Sequence, residues 1–259
     1  MDQLISLFNS GRYVDLEYQA RQLLDKEPRS GFFWKVLGVA LQMQGKDALD
    51  ALQTACNLLP DDAEANSNLG NSLRDTGRLE DAVAHYRRAL TLKPDSAETH
   101  CNLGNVLRDL GRIPEALASF QQALQLKPQF AEVHYNLGIA LLGLGQLQEA
   151  IASYRRAIEC KPDFAEAHNN LGVALRNAGQ SSDAQASLHR ALHYRPDYAD
   201  AHYNLGNVQN DLSQYDAAVL QYQRALALRP DHVDALNNLG NALKDCGRLK
   251  EACDAYEAA

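Results

Sequence analysis

Six asparagines, Asn68, Asn102, Asn136, Asn170, Asn204 and Asn238, recur every 34 residues. Asparagine is a mediocre helix former, so its return at one fixed place asks for a reason. A second column stands three positions on, at Asn71, Asn105, Asn207 and Asn241, and a third holds Arg74, Arg108, Arg176 and Lys244 beside Asp75, Asp109, Asp211 and Asp245. An amide carries both donors and an acceptor, so a column of them can hold the backbone of an extended peptide without reading its side chains. The plainer reading is that duplication copied an asparagine whose role is internal. The columns break where Ile139 and Leu142 replace Asn and Arg, and where Val173 replaces Asn. With Tyr135 these form a candidate apolar pocket for one apolar ligand side chain, unless the break is ordinary drift.

No other pattern supports chemistry as well. His100, His134, His168 and His202 also lie 34 apart, but in successive repeats they stand too far apart to share a metal ion with ligand distances near 2 Å. They are expected to pack between helices. Gly143-Leu144-Gly145 lacks the strand before it and the Lys-Ser/Thr after it that a phosphate loop needs. The five cysteines, Cys56, Cys101, Cys160, Cys246 and Cys253, form no Cys-x-x-Cys pair, which favours a reduced, cytoplasmic protein over a disulfide framework. No Ser/His/Asp or Cys/His set stands out. The chain as given is expected to be no enzyme, with no catalytic residue, cofactor or metal.

The element that positions the columns is a 34-residue unit, cleanest at 97–130. The glycines Gly70, Gly104, Gly138, Gly172, Gly206 and Gly240 recur at this period, as do the prolines Pro60, Pro94, Pro128, Pro162, Pro196 and Pro230. A fixed period in this range marks a stacked-repeat protein. Each unit reads as two helices. Gly77, Gly111, Gly145, Gly179 and Gly247 end the first, where glycine can take positive φ. Asp61…Glu64, Asp95…Glu98 and Asp163…Glu166 read as capping boxes that start it. Gly70 and its equivalents sit mid-helix and imply close helix approach, matched by Ala82, Ala116, Ala150, Ala184, Ala218 and Ala252. Tyr86, Phe120, Tyr154 and Tyr222 are expected to fill the gap to the next repeat, and Leu188 to leave its unit looser.

With its Leu-Gly, small and aromatic residues and closing proline, the unit resembles the tetratricopeptide repeat. The resemblance implies an all-α solenoid, a right-handed superhelix of antiparallel helix pairs. It covers 1–259 as a single array: a partial capping repeat at 1–30, in which Met1 to Asn9 form a short first helix; a repeat at 31–62 two residues short, with a tighter turn after Gly45; regular repeats at 63–96, 97–130, 131–164, 165–198 and 199–232; and a truncated repeat at 233–259. The half-built last helix suggests a piece of a longer protein. The family also implies that the asparagine columns, and Cys101, face a concave groove.

Within that family, the asparagine ladder and Ala165-Glu-Ala-His-Asn-Asn-Leu-Gly172 resemble the N-terminal repeats of protein O-GlcNAc transferases. Gly31-Phe-Phe-Trp-Lys-Val-Leu-Gly38 resembles bacterial proteins of SPINDLY type in which repeats precede such a transferase domain. The resemblance implies a substrate-recruiting arm. Self-association through exposed ends is a further alternative. The place before each ladder asparagine is Ser67, Cys101, Tyr135, Asn169, Tyr203 or Asn237, none of them basic, which disfavours capture of a C-terminal carboxylate by a basic clamp. The expected partner is a protein or extended peptide. A net charge of −8 over 259 residues argues against nucleic acid, which needs a basic face. No apolar run reaches the roughly 18 residues of a membrane span, and no signal peptide is visible.

Overall fold

The computed structural model describes residues 2–259. Met1, with which the sequence reading begins its first helix, lies outside them. All regular structure among the described residues is α-helical, and it divides into two compact units. Met1–Pro128 holds α1 (Asp2–Asn9), α2 (Tyr13–Lys26), α3 (Gly31–Gln42), α4 (Leu49–Leu58), α5 (Ala63–Asp75), α6 (Leu79–Leu92), α7 (Ala97–Asp109) and α8 (Ile113–Leu126). Gln129–Ala259 holds α9 (Ala131–Gly143), α10 (Leu147–Cys160), α11 (Ala165–Asn177), α12 (Ser181–Tyr194), α13 (Ala199–Asp211), α14 (Tyr215–Leu228), α15 (Val233–Asp245) and α16 (Leu249–Glu257). Within each unit every helix packs on the next. The odd-numbered helices also touch one another, α3 on α5 and α5 on α7 in the first unit, α11 on α13 and α13 on α15 in the second. In each unit these helices form an inner face, and it carries the asparagine columns.

The turn between paired helices has one geometry throughout. Gly77 N–H donates to Arg74 O at 2.9 Å and Arg78 N–H to Leu73 O at 2.8 Å, with Gly77 at φ +76°; this is the glycine-closed helix end called the Schellman motif. In the seventh repeat the same place is held by Ser213, which adopts φ +59° while making the same two bonds through Ser213 and Gln214.

The mid-helix glycines admit the ring of their own repeat. A Cβ on Gly104 would stand 2.5 Å from Phe120, and one on Gly206 would stand 2.6 Å from Tyr222. The aromatic side chain therefore closes its own helix pair, where the sequence suggested it reached for the next. Leu188 is fully buried and equally close, 2.6 Å from a Cβ on Gly172, so the looser sixth repeat is not found at this contact.

Two other local expectations are corrected. The helix starts lie one residue later than read. Asp62, not Asp61, accepts from Ala65 N–H at 2.9 Å, and Ser96, not Asp95, accepts from Thr99 N–H at 3.2 Å; Phe164, where Asp163 was expected to act, has no capping side chain. The short second repeat has a longer link, not a tighter turn. Lys46–Ala48 separate Gly45 from α4, where Arg78 alone separates Gly77 from α6. The missing residues come out of α4, which has 10 residues against 14 in α6.

Candidate functional site

The ladder asparagines lie on α5, α7, α9, α11, α13 and α15, each partly buried on the inner face. The amide nitrogens of Asn102, Asn170, Asn204 and Asn238 tie their repeats to the one before. Asn102 Nδ2 donates to Asn71 Oδ1 at 3.0 Å, and Asn238 Nδ2 to Asn207 Oδ1 at 2.9 Å. Where Ile139 and Val173 remove that acceptor, the amide turns to the position four residues earlier. Asn170 Nδ2 donates to Tyr135 Oη at 3.1 Å and Asn204 Nδ2 to Asn169 Oδ1 at 3.0 Å. The oxygens of Asn102, Asn204 and Asn238 are neither bonded within the described residues nor sealed from water. Asn68 differs: at these two places the preceding repeat offers Val39 and Lys35, neither an acceptor, and its side-chain amide is unengaged.

The second column works inside the fold. Asn71 Oδ1 also accepts from Tyr86 Oη at 2.7 Å, Asn207 Oδ1 from Tyr222 Oη at 2.9 Å, and Asn241 Oδ1 from Tyr256 Oη at 2.8 Å. Each amide thus receives the hydroxyl of the ring that fills its own repeat, and at Asn71 and Asn207 it holds the next ladder rung as well. Where one partner is absent, the other is stranded. Ile139 leaves the buried Tyr154 hydroxyl without a hydrogen bond, because the nearby Asn170 amide donates to Tyr135 instead. Phe120 leaves Asn105 Oδ1 buried without a donor, its Nδ2 resting 3.8 Å from Cys101 Sγ. Cys101 is therefore in the core, 6% exposed, not on the groove as its place in the unit suggested.

Along the third column the charges pair. Arg74 bonds Asp75 at 2.8 Å, Arg108 bonds Asp109 at 2.9 Å, and Arg176 reaches across one repeat to Asp211, Nε to Oδ2, at 2.5 Å. Lys244 is exposed on the last repeat. A polar cleft opens on the inner face of each unit. The one in Met1–Pro128, about 280 Å³, is lined by Glu64, Asn68, Asn71, Lys93 and Asn102 among others. The one in Gln129–Ala259, about 150 Å³, is lined by Arg176, Asn207, Asn210 and Asn238, and the Oδ1 of Asn210 is buried there without a donor.

The apolar break is half-buried. Tyr135, Ile139 and Leu142 pack on a core containing Tyr154, Leu171 and Leu175; Val173 is partly buried, and the Tyr135 ring lies 5.0 Å from that of Phe164.

The histidine column has a role that its spacing alone did not disclose. His100, His168 and His202 place Nε2 at 3.0, 2.9 and 2.8 Å from the carbonyls of Pro94, Pro162 and Pro196. Trp34 Nε1 and Asn66 Nδ2 make the same six-residue reach to Pro28 and Pro60. What unites Trp, Asn and His at this place is an N–H that can satisfy the proline carbonyl, and that shared donor was the signal available in the sequence. No His/Cys/Asp/Glu group suited to a metal ion occurs among the described residues.

Three family models match the chain. One described as TPR repeat matches 70–107, 104–145, 141–179 and 209–245; models described as Tetratricopeptide repeat match 169–225 and 232–259. No curated protein matches the chain. Among solved structures it is similar to a chain of the APC/C hetero-tetramer Cut9–Hcn1, with TM-score 0.77 and 22% identity over 93% of this chain and 48% of that one. It thus spans about half the length of that relative. It is also similar to YrrB, described as a TPR protein with an unusual peptide-binding site (TM-score 0.59, 30% identity, 72% of this chain and 96% of that one). A third match is pilF of Pseudomonas aeruginosa (TM-score 0.70, 18% identity, 85% of this chain and 96% of that one).

Proposed function

Since the chain belongs to the tetratricopeptide repeat family, we propose that it is a non-catalytic scaffold holding an extended segment of a partner protein on the asparagine-lined inner face. The observation that carries this reading is the set of open oxygens on Asn102, Asn204 and Asn238, each held in place by its own amide nitrogen. Those oxygens can accept backbone N–H groups. Helices pack roughly 8–10 Å apart and an extended chain advances about 3.3 Å per residue, so one rung meets the ligand about every third residue. In this reading Asn71 and Asn207 orient the rungs, Asn105 and Asn241 continue their column, and Arg74, Arg108, Arg176 and Lys244 edge the face. Tyr135, Ile139, Leu142 and Val173 receive an apolar side chain; Leu142→Arg leaves peptide affinity unchanged if they do not.

The test of the ladder is replacement of Asn102, Asn204 and Asn238 by Ala. Peptide binding is expected to weaken about tenfold or more, at a few tenths to 1 kcal/mol per hydrogen bond, with far-UV helicity retained. Equal affinity removes the reading. YrrB is described as peptide-binding, which supports it by likeness. A narrower reading makes the chain the substrate-recruiting arm of an O-GlcNAc transferase-like protein. The motif Ala165–Gly172 favours that reading, and the coding sequence downstream of Ala259 tests it. Five cysteines with no Cys-x-x-Cys pair suit a reducing, cytoplasmic setting.

A further inference from the structure

Counted back from the turn glycines, the column positions change character at the N-terminal end. Asn68 and Asn71 in α5 give way to Val36 and Val39 in α3, and the Asn71 and Arg74 places fall to Ile5 and Phe8 in α1. These side chains, with Leu4 and Phe32, enclose an apolar cleft of about 200 Å³ whose rim carries Lys35 and Glu64. Ile5 and Phe8 are 53% and 42% exposed. Glu64 also lines the polar cleft described above, so the two adjoin within the one unit.

The polar cleft has an unmatched positive charge. In three other repeats a first-turn acid pairs with a base 29 residues later, Glu98 with Lys127, Glu166 with Arg195 and Asp200 with Arg229, whereas at Glu132 and Lys161 the base lies over the Phe164 ring instead. Glu64 and Lys93 have that spacing. Here Lys35 takes Glu64, and Asp62 with it, each at 2.9 Å. Lys93 is left exposed and without an ion pair, beside the unengaged amide of Asn68. Glu98, the cleft's other carboxylate, is already held by Lys127.

We propose that the unit Met1–Pro128 docks an extended protein segment bearing one large apolar side chain in the cleft of Ile5, Phe8 and Val39, and an aspartate or glutamate on Lys93 and Asn68. This deepens the scaffold reading and rests on it. The cleft between α1 and α3 and the one between α5 and α7 stand two helix pairs apart, roughly 16–20 Å, a span bridged by about five to six residues of extended chain, so the motif is an apolar and an acidic residue about five or six places apart.

The full chain is panned with a phage-displayed library of random dodecapeptides. The expected result is enrichment of that spaced pair. Ile5→Asp, at an exposed position, weakens a representative peptide by about tenfold, the burial of one apolar side chain. Lys93→Glu weakens it by about threefold to fivefold, the range of an exposed ion pair, and a peptide with lysine in place of the acid recovers the loss. Binders that lack the pair, prefer a basic residue there, or ignore both substitutions overturn the proposal. If such binders still respond to Asn204→Ala and Asn238→Ala, the scaffold reading survives without it; a library that yields no binders removes both.

Discussion

The Tyr222 hydroxyl donates to Asn207 Oδ1 at 2.9 Å, and Asn207 in turn accepts from Asn238 of the next repeat at 2.9 Å. One buried amide thus fastens the core ring of its own repeat to a rung of the following one. The same arrangement joins Tyr86, Asn71 and Asn102.

Removing the same hydroxyl should therefore have opposite effects at two places. Tyr222→Phe is expected to cost about 1 kcal/mol, the net value of a buried hydrogen bond, whereas Tyr154→Phe removes a stranded hydroxyl and is expected to stabilise by about 1 kcal/mol. Thermal unfolding midpoints check the signs; equal shifts would show that the Asn207 bond contributes nothing.

Ser213 occupies a turn that its counterparts fill with glycine. Left-handed backbone costs an L-residue roughly 1–2 kcal/mol, and glycine returns part of that through greater unfolded-state entropy. Ser213→Gly is expected to stabilise by about 0.5–1 kcal/mol. A lower unfolding midpoint in the variant would mean that the serine side chain compensates for its backbone.

Acid should loosen the sixth repeat through His168. Burial holds its pKa below the ordinary value of 6.5, although the Pro162 carbonyl favours the charged ring. The folded pKa is the lower one, so the unfolded chain takes up the proton first. Stability is full above about 6.5 and falls as pH drops through the window between the two values. Asn66 makes the equivalent bond to Pro60 at 3.3 Å, so His168→Asn keeps a donor and discards the titration. Its unfolding midpoint should fall less than the parent's between pH 7 and pH 5. An identical fall would place the acid sensitivity elsewhere.

Much of the fold was legible because its causes are local. A glycine that must take φ near +75°, and a glycine whose Cβ would strike Phe120 or Tyr222, repeat at the same spacing as the structure they enforce. The candidate site was legible only in outline. That Asn71 serves a tyrosine while Asn102 serves Asn71 depends on which repeat each side chain leans toward, and sequence spacing does not encode that. Cys101 was misplaced for the same reason, since one position on a helix separates the core from the inner face. Lys93 escaped notice because it follows the proline-flanking pattern of Lys127, Arg195 and Arg229. The acid at the matching place, Glu64, is taken by the long reach of Lys35.

The ladder rungs spend their nitrogens on the preceding repeat and keep their oxygens outward, at Asn102, Asn204 and Asn238. At these three rungs the surface offers acceptors. A strand bound there as proposed would be held through its own N–H groups, and a proline, having none, would lose the hold where it lands on a rung. Walking proline along a bound peptide would read the register directly, as a loss of affinity that returns about every third residue.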